Sequence, residues 1–359
     1  MKCSIITIHH IHNFGSVLQA YSLLYFLKQH GYDAEIIDYR PNYYKYGRNW
    51  FITFVGKITN FFHFYIRSKK FNRFIKKYDT LSPRRFKTVS ELKAYYENSN
   101  NLFITGGDQL WNDYHACGRD NAYKLSFTNA NKIACGTSMG RDKFSVNTLK
   151  KIACETQSFA GIMLREGINV NQLQPYTNVP ISHIIDPVGL IDTEVFRNMS
   201  ITPEIREPYA VMYLANSSPF LDKAIEFLSN ECGLKIVHIC GFRKKCKCDI
   251  LDKNAGPEEI LGYIINADFV LSASFHATMF SILFNKQFAT ILPEAGTNAR
   301  IEDILKLTGL TSRIIKSEQD LNVLKSRIDF TKTNDIIRNF KTSSQENILN
   351  LIYKIQQEA

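Results

Sequence analysis

The stretch at residues 2–39, KCSIITIHHIHNFGSVLQAYSLLYFLKQHGYDAEIIDY, contains the pattern that decides the fold. It opens with a short β-branched run, KCSIITI, which ends at a polar loop beginning with His9. Apolar residues at helical spacing follow from Val17 to Leu27, and a second short apolar run occupies residues 34–39. The order strand, helix, strand predicts a parallel α/β domain, because a crossover helix is the usual connection between two parallel strands.

The same alternation continues along the chain in two blocks. The first block completes a domain at residues 1–200 and includes short apolar runs at 102–105, 133–136 and 181–186. The second block, at residues 205–330, has predicted strands at 209–214, 235–240 and 269–273 and predicted helices at 220–232, 257–266 and 276–284. An amphipathic helical segment follows at 333–357. We therefore expect two α/β domains that face each other across a cleft, with ligands at the carboxyl ends of the strands.

Composition and charge exclude several classes of protein. With 359 residues, 45% apolar and 22% charged, the chain lies in the ordinary globular range, which excludes a wholly disordered protein. Between Arg40 and Lys87 there are 13 Lys and Arg residues against one acid, Asp79, whereas the remainder is close to neutral. One local positive face is therefore expected, and a surface that coats nucleic acid is not.

The apolar runs and the cysteines indicate the compartment. The N-terminus lacks the apolar stretch of a signal peptide, and no apolar run reaches the ~20 residues that span a bilayer. The eight cysteines are scattered, and we interpret them as thiols. A cytoplasmic protein is expected.

Aromatic and aliphatic residues recur at helical spacing within the basic segment. They are Phe51, Phe54, Val55, Ile58, Phe61, Phe62 and Tyr65. An aromatic stripe flanked by Lys and Arg is typical of a helix that lies on an anionic membrane surface. An amphipathic helix packed on its own domain has the same periodicity, so the sequence leaves both alternatives open.

Side chains able to carry chemistry follow the predicted strands. Asn13 and Ser16 stand where the first strand gives way to a helix, whose free N–H groups can receive an anion, although both residues equally suit helix capping. The run GGDQLWN at 106–112 combines two glycines with an acid, an amide and an indole. The alternative there is a plain Gly-Gly-Asp turn with Trp111 in the core.

Further candidates are single charged or titratable side chains. Arg165 offers a planar fork suited to carboxylate or phosphate, or else a surface ion pair. His276 lies within SASFHAT at 272–278, where an imidazole can exchange protons near neutral pH, and a packed loop histidine is the alternative. Arg300 and Arg313 are further cations that could bind an anion, and ordinary surface arginines are the alternative.

Several familiar motifs are absent from the sequence. Without GxGxxG, a Walker lysine loop or HExxH, dinucleotide reduction, P-loop phosphoryl transfer and zincin hydrolysis lose their usual support. The histidines from His9 to His12 have no acidic or thiol ligand among them, and the cysteines from Cys240 to Cys248 are spaced C-x5-C-x-C. We predict no metal and no cofactor.

Taken in order, eight sequence blocks resemble the polysaccharide pyruvyl transferase family. The blocks are NFGSVLQAYSL, GYDAEIIDYRP, ITGGDQLWN, GTSMG, LREG, IIDPVGL, ADFVLSASFHATMFSILFNKQF and NARIEDIL. Each is weak alone, and their order from Ile5 to about Arg313 makes the resemblance specific. Three positions depart from the family pattern: Gly107 replaces serine, Ser274 replaces arginine and Ala277 replaces glycine.

The resemblance implies a fold and an activity. The fold is GT-B-like, with two Rossmann-like domains and a C-terminal helix that returns to the first domain. The activity is transfer of the pyruvyl group of phosphoenolpyruvate onto two hydroxyls of a glycan sugar, which forms a cyclic ketal and releases phosphate. The implied acceptor is a polyprenyl-pyrophosphate-linked oligosaccharide of bacterial capsular polysaccharide synthesis, reached from the cytoplasmic face of the membrane.

The resemblance also assigns roles to residues of this sequence. The catalytic residues are His276 and Asp108. The donor-binding residues are Arg165, Asn13, Gly15, Ser274, Phe275 and Arg300, and the acceptor-binding residues are Gln109, Trp111 and Asn112. Because Ser274 replaces an arginine, anchoring of the donor falls partly to Arg300 or Arg313.

Two other functions remain alternatives at this point. A GT-B-like glycosyltransferase that uses a nucleotide sugar would have the same architecture. A catalytically silent scaffold that docks a glycan assembly complex at the membrane would also use the basic segment.

Overall fold

The computed structural model describes residues 1–43, 50–213, 220–239, 247–292 and 298–358, and at residues 50–61 it describes the backbone alone. The chain divides into two compact units. Unit 1 consists of Met1–Thr53, Ile75–Ile191 and Arg338–Ala359, and unit 2 consists of Phe54–Phe74 and Asp192–Ile337. Each unit is built around its own parallel β-sheet.

Unit 1 contains a seven-stranded sheet. Its strands are β1 (Lys2–Ile6), β2 (Asp33–Tyr39), β3 (Leu81–Phe86), β4 (Leu102–Gly106), β5 (Lys132–Thr137), β6 (Gly161–Leu164) and β7 (Ile181–His183). They are all parallel, in the order β3-β2-β1-β4-β5-β6-β7. Every residue of β4 and β5 is buried, as expected of short apolar strands in a sheet covered on both faces.

Helices connect the strands of this sheet or follow them in the chain. They are α1 (Phe14–Gln29), α2 (Trp50–Tyr78), α3 (Val89–Tyr96), α4 (Val146–Glu155), α5 (Gly167–Leu173) and α6 (Pro187–Leu190). The cap residue of α1 is Asn13, whose side-chain oxygen accepts a hydrogen bond of 3.0 Å from the backbone N–H of Gly15. A Cβ at Gly106 would lie 2.5 Å from Cδ2 of Leu23, so a glycine at the end of β4 permits the close approach of α1.

Unit 2 repeats the plan with six strands. They are β8 (Tyr209–Tyr213), β9 (Lys235–Ile239), β10 (Ile250–Asp252), β11 (Phe269–Ser272), β12 (Gln287–Ile291) and β13 (Ile314–Ile315), in the order β10-β9-β8-β11-β12-β13. The remaining helices are α7 (Thr193–Met199), α8 (Leu221–Glu226), α9 (Pro257–Asn266), α10 (Phe275–Leu283), α11 (Ala299–Leu307) and α12 (Thr331–Glu358). Both strand orders are those of a doubly wound Rossmann-like sheet.

From Arg338 onward α12 belongs to unit 1. The hydroxyl of Ser344 accepts a hydrogen bond of 2.9 Å from the backbone N–H of Ile185, and the amide of Gln345 donates one of 2.7 Å to the carbonyl of Leu190. A Cβ at Gly161 would lie 2.6 Å from Cδ2 of Leu351. Side-chain hydrogen bonds and close packing on β6 therefore hold the C-terminal helix against the first sheet.

The predicted α/β class with two parallel sheets is confirmed. Strand β3 was not predicted, because its sequence LSPRRF contains a proline and two arginines. It is an edge strand, where a proline costs no ladder hydrogen bond. Strands β6, β10, β12 and β13 were also missed, since runs of two to five residues are too short to show the periodicity of a strand.

The basic segment is divided between the units. Residues 54–74 of α2 belong to unit 2, whereas the ends of the segment belong to unit 1. The stripe residues from Phe51 to Phe61 lie outside the described side chains. Among the helices that the structure describes, none is long and apolar enough to cross a bilayer.

Asp79, just after α2, is a buried carboxyl group in unit 1. Neither of its oxygens is accessible, and neither has a hydrogen-bond partner within the described ranges. Burial raises the pKa of Asp79 well above its usual value, and the opposing effect of Lys28 is smaller. The carboxyl group therefore holds its proton more tightly in the folded chain than in the unfolded chain.

Asp79→Asn should raise the free energy of unfolding at pH 7 by about 1–3 kcal/mol, because the amide cannot ionise and so removes the cost of a carboxyl group whose pKa burial raises, about 1.4 kcal/mol for each pKa unit. Because the folded pKa is raised, the stability that this group contributes is present below the unfolded pKa of about 3.9 and is lost as the pH rises. The advantage of the variant should therefore shrink toward pH 4. Urea unfolding at pH 7 and pH 4.5 measures the difference in free energy of unfolding between the variant and wild type, with the exposed Asp142→Asn as the control. Equal stability of Asp79→Asn and wild type at pH 7 would contradict the assignment.

Candidate functional site

Most of the side chains predicted from the sequence lie at the switch point of one of the two sheets. In unit 1 the strand order reverses beside β1, which pairs with β4, and in unit 2 β8 pairs with β11 in the same way. Open α/β sheets bind ligands outside the carboxyl ends of the strands at such points. The loops that follow β1 and β4 in unit 1, and β11 in unit 2, carry the predicted residues.

Asp108 is the centre of the unit 1 site. The hydroxyl of Ser16, in the first turn of α1, donates a short hydrogen bond to its carboxylate, and the backbone N–H of Gln109 donates another of 2.8 Å. Asp108 has φ of +56°, in the left-handed region. Few residues other than glycine, asparagine and aspartate accept this conformation, so the backbone and two hydrogen bonds together fix the carboxylate direction.

Gly107 accounts for one departure from the family pattern. Its φ is +65°, and a Cβ would lie only 1.4 Å from Oε1 of Gln19. The Gln19 amide nitrogen donates to the hydroxyl of Thr7 at 2.9 Å and to the carbonyl of Ser16 at 2.8 Å. The space of the missing side chain is thus occupied by an amide that joins α1 to the loop after β1.

The three predicted acceptor residues divide into two kinds. The amide of Asn112 donates to Oε1 of Gln109 at 2.7 Å, so these two polar side chains are held together beside Asp108. Trp111 is 1% exposed, and its indole N–H donates to the carbonyl of Tyr123 at 3.0 Å. The structure therefore places Trp111 in the core, as in the alternative that the sequence left open.

Arg165 lies just after β6 among carboxylates. Its guanidinium makes a short hydrogen bond to Asp186, and its Nε lies 3.6 Å from Glu166. Burial lowers the pKa of Arg165, but the charges of Asp186 and Glu166 outweigh this effect and raise it above its usual value. Arg165 is thus a permanently charged, buried partner of two acids.

Hydrogen bonds connect these loops along the sheet edge. The hydroxyl of Ser138, after β5, donates a short hydrogen bond to Glu166, and the Ser138 backbone N–H donates to the carbonyl of Asp108 at 2.9 Å. Neither Ser138, Glu166 nor Asp186 was assigned a role from the sequence. The blocks GTSMG, LREG and IIDPVGL contain them, but only the fold brings the ends of β5, β6 and β7 together.

The start of α10 forms the unit 2 site. Ser274 occupies the cap position, yet its side chain makes no capping hydrogen bond. Phe275 and His276 form the first turn and are both buried, at 6% and 5% exposure. The Arg300 guanidinium lies 5.6 Å from the centre of the Phe275 ring. A helix N-terminus, an imidazole and a guanidinium are thus brought together within unit 2.

The two arginines considered as substitutes for the residue missing at Ser274 are placed differently. Arg300 lies beside the first turn of α10, as described above. Arg313 is buried, and it donates to the carbonyl of Phe288 at 2.7 Å and to the carbonyl and hydroxyl of Ser326 at 3.0 and 2.9 Å. Burial lowers the pKa of Arg313 to about 10. Its hydrogen bonds tie the strand β12 to the turn at Ser326, which is a structural role.

Within the ranges that the structure describes, no group of three or more His, Cys, Asp or Glu side chains is placed to hold a metal ion. His9, which the sequence left as a loop histidine, bonds Asp38 at 3.1 Å instead. That no metal takes part stays a prediction.

Replacement of Arg165 by methionine should lower the free energy of unfolding by about 3–5 kcal/mol, because it leaves buried carboxylates without their cation. Arg165→Lys keeps the positive charge and should lower the free energy of unfolding by less. Arg141→Met is the matched control, since Arg141 pairs with the partly exposed Asp113. Urea unfolding measures all three, and wild-type stability of Arg165→Met would overturn the proposed dependence of the acids on Arg165.

Solved structures of similar fold match nearly the whole chain. A putative UDP-N-acetylglucosamine 2-epimerase from Listeria monocytogenes is 7% identical, with a TM-score of 0.61 and coverage of 100% of this chain and 98% of its own. The UDP-GlcNAc 2-epimerase from Methanocaldococcus jannaschii is 11% identical, with a TM-score of 0.56 and coverage of 98% and 100%. The spinosyn forosaminyltransferase SpnP is 8% identical, with a TM-score of 0.54 and coverage of 99% of both chains. At these identities the similarity shows the fold alone, and the predicted GT-B-like class is confirmed.

Among curated protein sequences, none matches this chain. The sequence model of the family described as polysaccharide pyruvyl transferase matches residues 13–294, which is most of the chain and includes Asn13, Asp108 and His276. The chain therefore belongs to the polysaccharide pyruvyl transferase family.

Proposed function

We propose that this pyruvyl transferase moves the pyruvyl group of phosphoenolpyruvate onto two hydroxyls of one sugar in a glycan, forming a cyclic ketal and releasing phosphate. Family membership supports pyruvyl transfer in general. The observation that carries the choice of donor is the start of α10, where the first turn of the helix, His276 and Arg300 lie together.

The charge of the donor favours unit 2 as its binding site. Phosphoenolpyruvate has a carboxylate and a phosphate, and both are recognised by guanidinium groups and by helix N–H groups. Around Arg165 in unit 1, by contrast, stand the carboxylates of Asp108, Glu166 and Asp186. An anionic donor is repelled there, so we assign Arg165 a positioning role instead of the donor contact that the resemblance implied.

One general acid, His276, is sufficient for the proton transfers of the proposed reaction. His276 gives a proton to C3 of the enol phosphate while a sugar hydroxyl adds to C2, forming the first C–O bond. The C2–O bond to phosphate then breaks, and a second hydroxyl adds to C2 and closes the ketal. Two hydroxyl protons are released: one restores His276 and one leaves with phosphate. A histidine suits this exchange because its ordinary pKa lies near neutral pH.

Unit 1 supplies the groups that a sugar needs. Carboxylate and amide side chains bind sugar hydroxyls through hydrogen bonds, and Asp108, Gln109 and Asn112 present such groups from one loop. Asp108 is proposed to accept the proton of the first attacking hydroxyl and to return it as phosphate leaves, while the proton of the second hydroxyl restores His276. The acceptor itself is proposed to be an oligosaccharide linked through pyrophosphate to a polyprenyl chain, as a precursor of a surface polysaccharide.

The decisive experiment incubates the protein with phosphoenolpyruvate and a set of diphosphate-linked saccharides. Phosphate release should depend on the acceptor, and mass spectrometry of the product should show the mass of one pyruvyl ketal. His276→Gln should fold normally and lose about 10²–10⁴-fold in kcat, the usual contribution of general acid catalysis. His30→Gln, at the exposed end of α1, is the control.

Two outcomes would contradict the proposal. Turnover of UDP- or GDP-sugars with no response to phosphoenolpyruvate would identify a glycosyltransferase instead. Near-normal kcat in His276→Gln would remove this residue from the mechanism and leave the acid elsewhere.

We also propose that α2 holds the enzyme against an anionic membrane surface, near a lipid-linked acceptor. Phe62 and Tyr65 are 68% and 48% exposed, and Lys69 lies over the Tyr65 ring at 4.6 Å. With Lys76, these residues recur at helical spacing along one exposed side of the helix. An aromatic ring beside a lysine suits the boundary between headgroups and acyl chains, and each basic residue near such a surface contributes about 1 kcal/mol.

The protein should therefore co-sediment with vesicles that contain phosphatidylglycerol, and less so at high salt, because the Debye length falls to about 3 Å at 1 M. Combined Phe62→Ser and Tyr65→Ser should weaken binding without change in the melting temperature. Tyr353→Ser, at an equally exposed aromatic of α12, is the matched control. If wild type co-sediments to the same extent with neutral and with anionic vesicles, α2 does not have this role.

A further inference from the structure

A second charged cluster lies at the carboxyl ends of β2 and β3 in unit 1, and the proposed reaction does not use it. Its centre is Asp38, which is 7% exposed at its side chain. Nε of Arg40 makes a short hydrogen bond to one carboxylate oxygen, and Nε of Arg85 bonds the other at 2.9 Å. His9 adds a contact of 3.1 Å to the first oxygen. One carboxylate thus holds two arginines side by side.

The two arginines are bound only through their inner nitrogens. In the part of the chain that the structure describes, Nε is the one atom of each guanidinium with a hydrogen-bond partner. Each guanidinium has two further NH₂ groups in the same plane, and these form the fork that binds phosphate or carboxylate in a bidentate way. The side chains of Arg40 and Arg85 are 22% and 56% exposed, so a ligand can reach both forks.

The charges of the cluster favour an anion. The hydrogen bonds from His9, Arg40 and Arg85 hold the pKa of Asp38 below its usual value although burial opposes them, so Asp38 is ionised at neutral pH. Two guanidiniums against this single carboxylate leave one positive charge in excess. Burial lowers the pKa of the neighbouring His10 to about 3, so His10 stays neutral and does not repel the arginines. This excess positive charge is partly shielded from water, so binding of an anion beside the two guanidinium groups stabilises it.

The geometry points to a binding site for a diphosphate, with Arg40 and Arg85 each holding one phosphoryl group. Two adjacent forks fixed by one carboxylate suit two linked phosphoryl groups better than a single small anion. The inference rests on the proposed function for the ligand's identity: the diphosphate is the one that links the acceptor saccharide to its carrier.

The position along the sheet fits this assignment. In the strand order β1 lies between β2 and β4, and Asp108 follows β4. Neighbouring strands are about 4.8 Å apart, so the ends of β2 and β3 lie roughly 10 and 14 Å from the end of β4. A short saccharide can bridge these distances, with its diphosphate at Arg40 and Arg85 and the reacting sugar at Asp108.

Binding of inorganic pyrophosphate to the full-length protein, measured by isothermal titration calorimetry, tests the site without any turnover. Wild type should bind, and Arg40→Gln and Arg85→Gln should each raise the Kd by about tenfold or more, as expected for a lost hydrogen bond to a charged group. Arg40→Lys should also weaken binding, because an ammonium cannot reach Asp38 and form a fork at once. Arg84→Gln is the matched control, since Arg84 lies next to Arg85 but over the Phe86 ring at 5.7 Å.

A second measurement identifies the source of the phosphoryl groups. With phosphoenolpyruvate as donor, Arg40→Gln and Arg85→Gln should raise the KM of a diphosphate-linked saccharide and leave kcat and the KM of the donor unchanged. The same saccharide without its diphosphate should react equally with variants and wild type. If no saccharide accepts a pyruvyl group, the proposed function fails, whereas the calorimetry still decides whether the anion site exists.

Three results would overturn the inference. If wild type does not bind pyrophosphate, or if the variants bind it as tightly as wild type does, the arginines only neutralise Asp38. Variants that lose binding to phosphatidylglycerol vesicles while the KM of the acceptor is unchanged would assign the arginines to lipid headgroups instead. Circular dichroism of each variant confirms that its loss is not one of folding.

Discussion

The parallel pairing of β1 with β4 is the constraint on which the unit 1 site depends. It brings the loop after the first strand beside the loop after the fourth, so that Ser16 can bond Asp108 although 92 residues separate them. From Asp108 the hydrogen bonds continue through Ser138 to Glu166. Parallel strands all end at one edge of the sheet, and each strand therefore adds its own polar residue to the same row.

The two units differ in the charged groups that lie at their strand ends. In unit 1 several carboxylates surround one buried arginine, which suits hydroxyl groups and proton acceptance. In unit 2 an imidazole and a guanidinium lie at the start of α10, and a helix N-terminus with such neighbours suits an anion. The proposed donor, with two anionic groups, and the proposed acceptor, rich in hydroxyls, would therefore bind different surfaces of the same chain.

Positive charge outside these sites has more than one origin. The excess of Lys and Arg between Arg40 and Lys87 predicts one basic face. The structure instead places these residues at different positions in the fold. Arg40 and Arg85 share Asp38 at the sheet edge, whereas Lys69 lies with Tyr65 on an exposed helix surface. Lys70 and Arg73 of the same helix pair with Glu259 and Glu258. Net charge along a segment therefore does not define a single surface.

The sequence by itself determined the class of fold, because hydrophobic periodicity reports strands and helices locally and the order of the eight blocks reports the family. It also located Asp108, Gln109 and His276, since polar residues directly after apolar strands mark the carboxyl edge of a parallel sheet. Only the tertiary structure decided that Trp111 is a core residue, that Arg165 is bound by acids and that Asp38 joins Arg40 to Arg85. Arg165 and Asp186 are 21 residues apart, and Asp38 and Arg85 are 47 apart. Such pairs form because strand order brings their ends together, and no local pattern in the chain records which strands become neighbours.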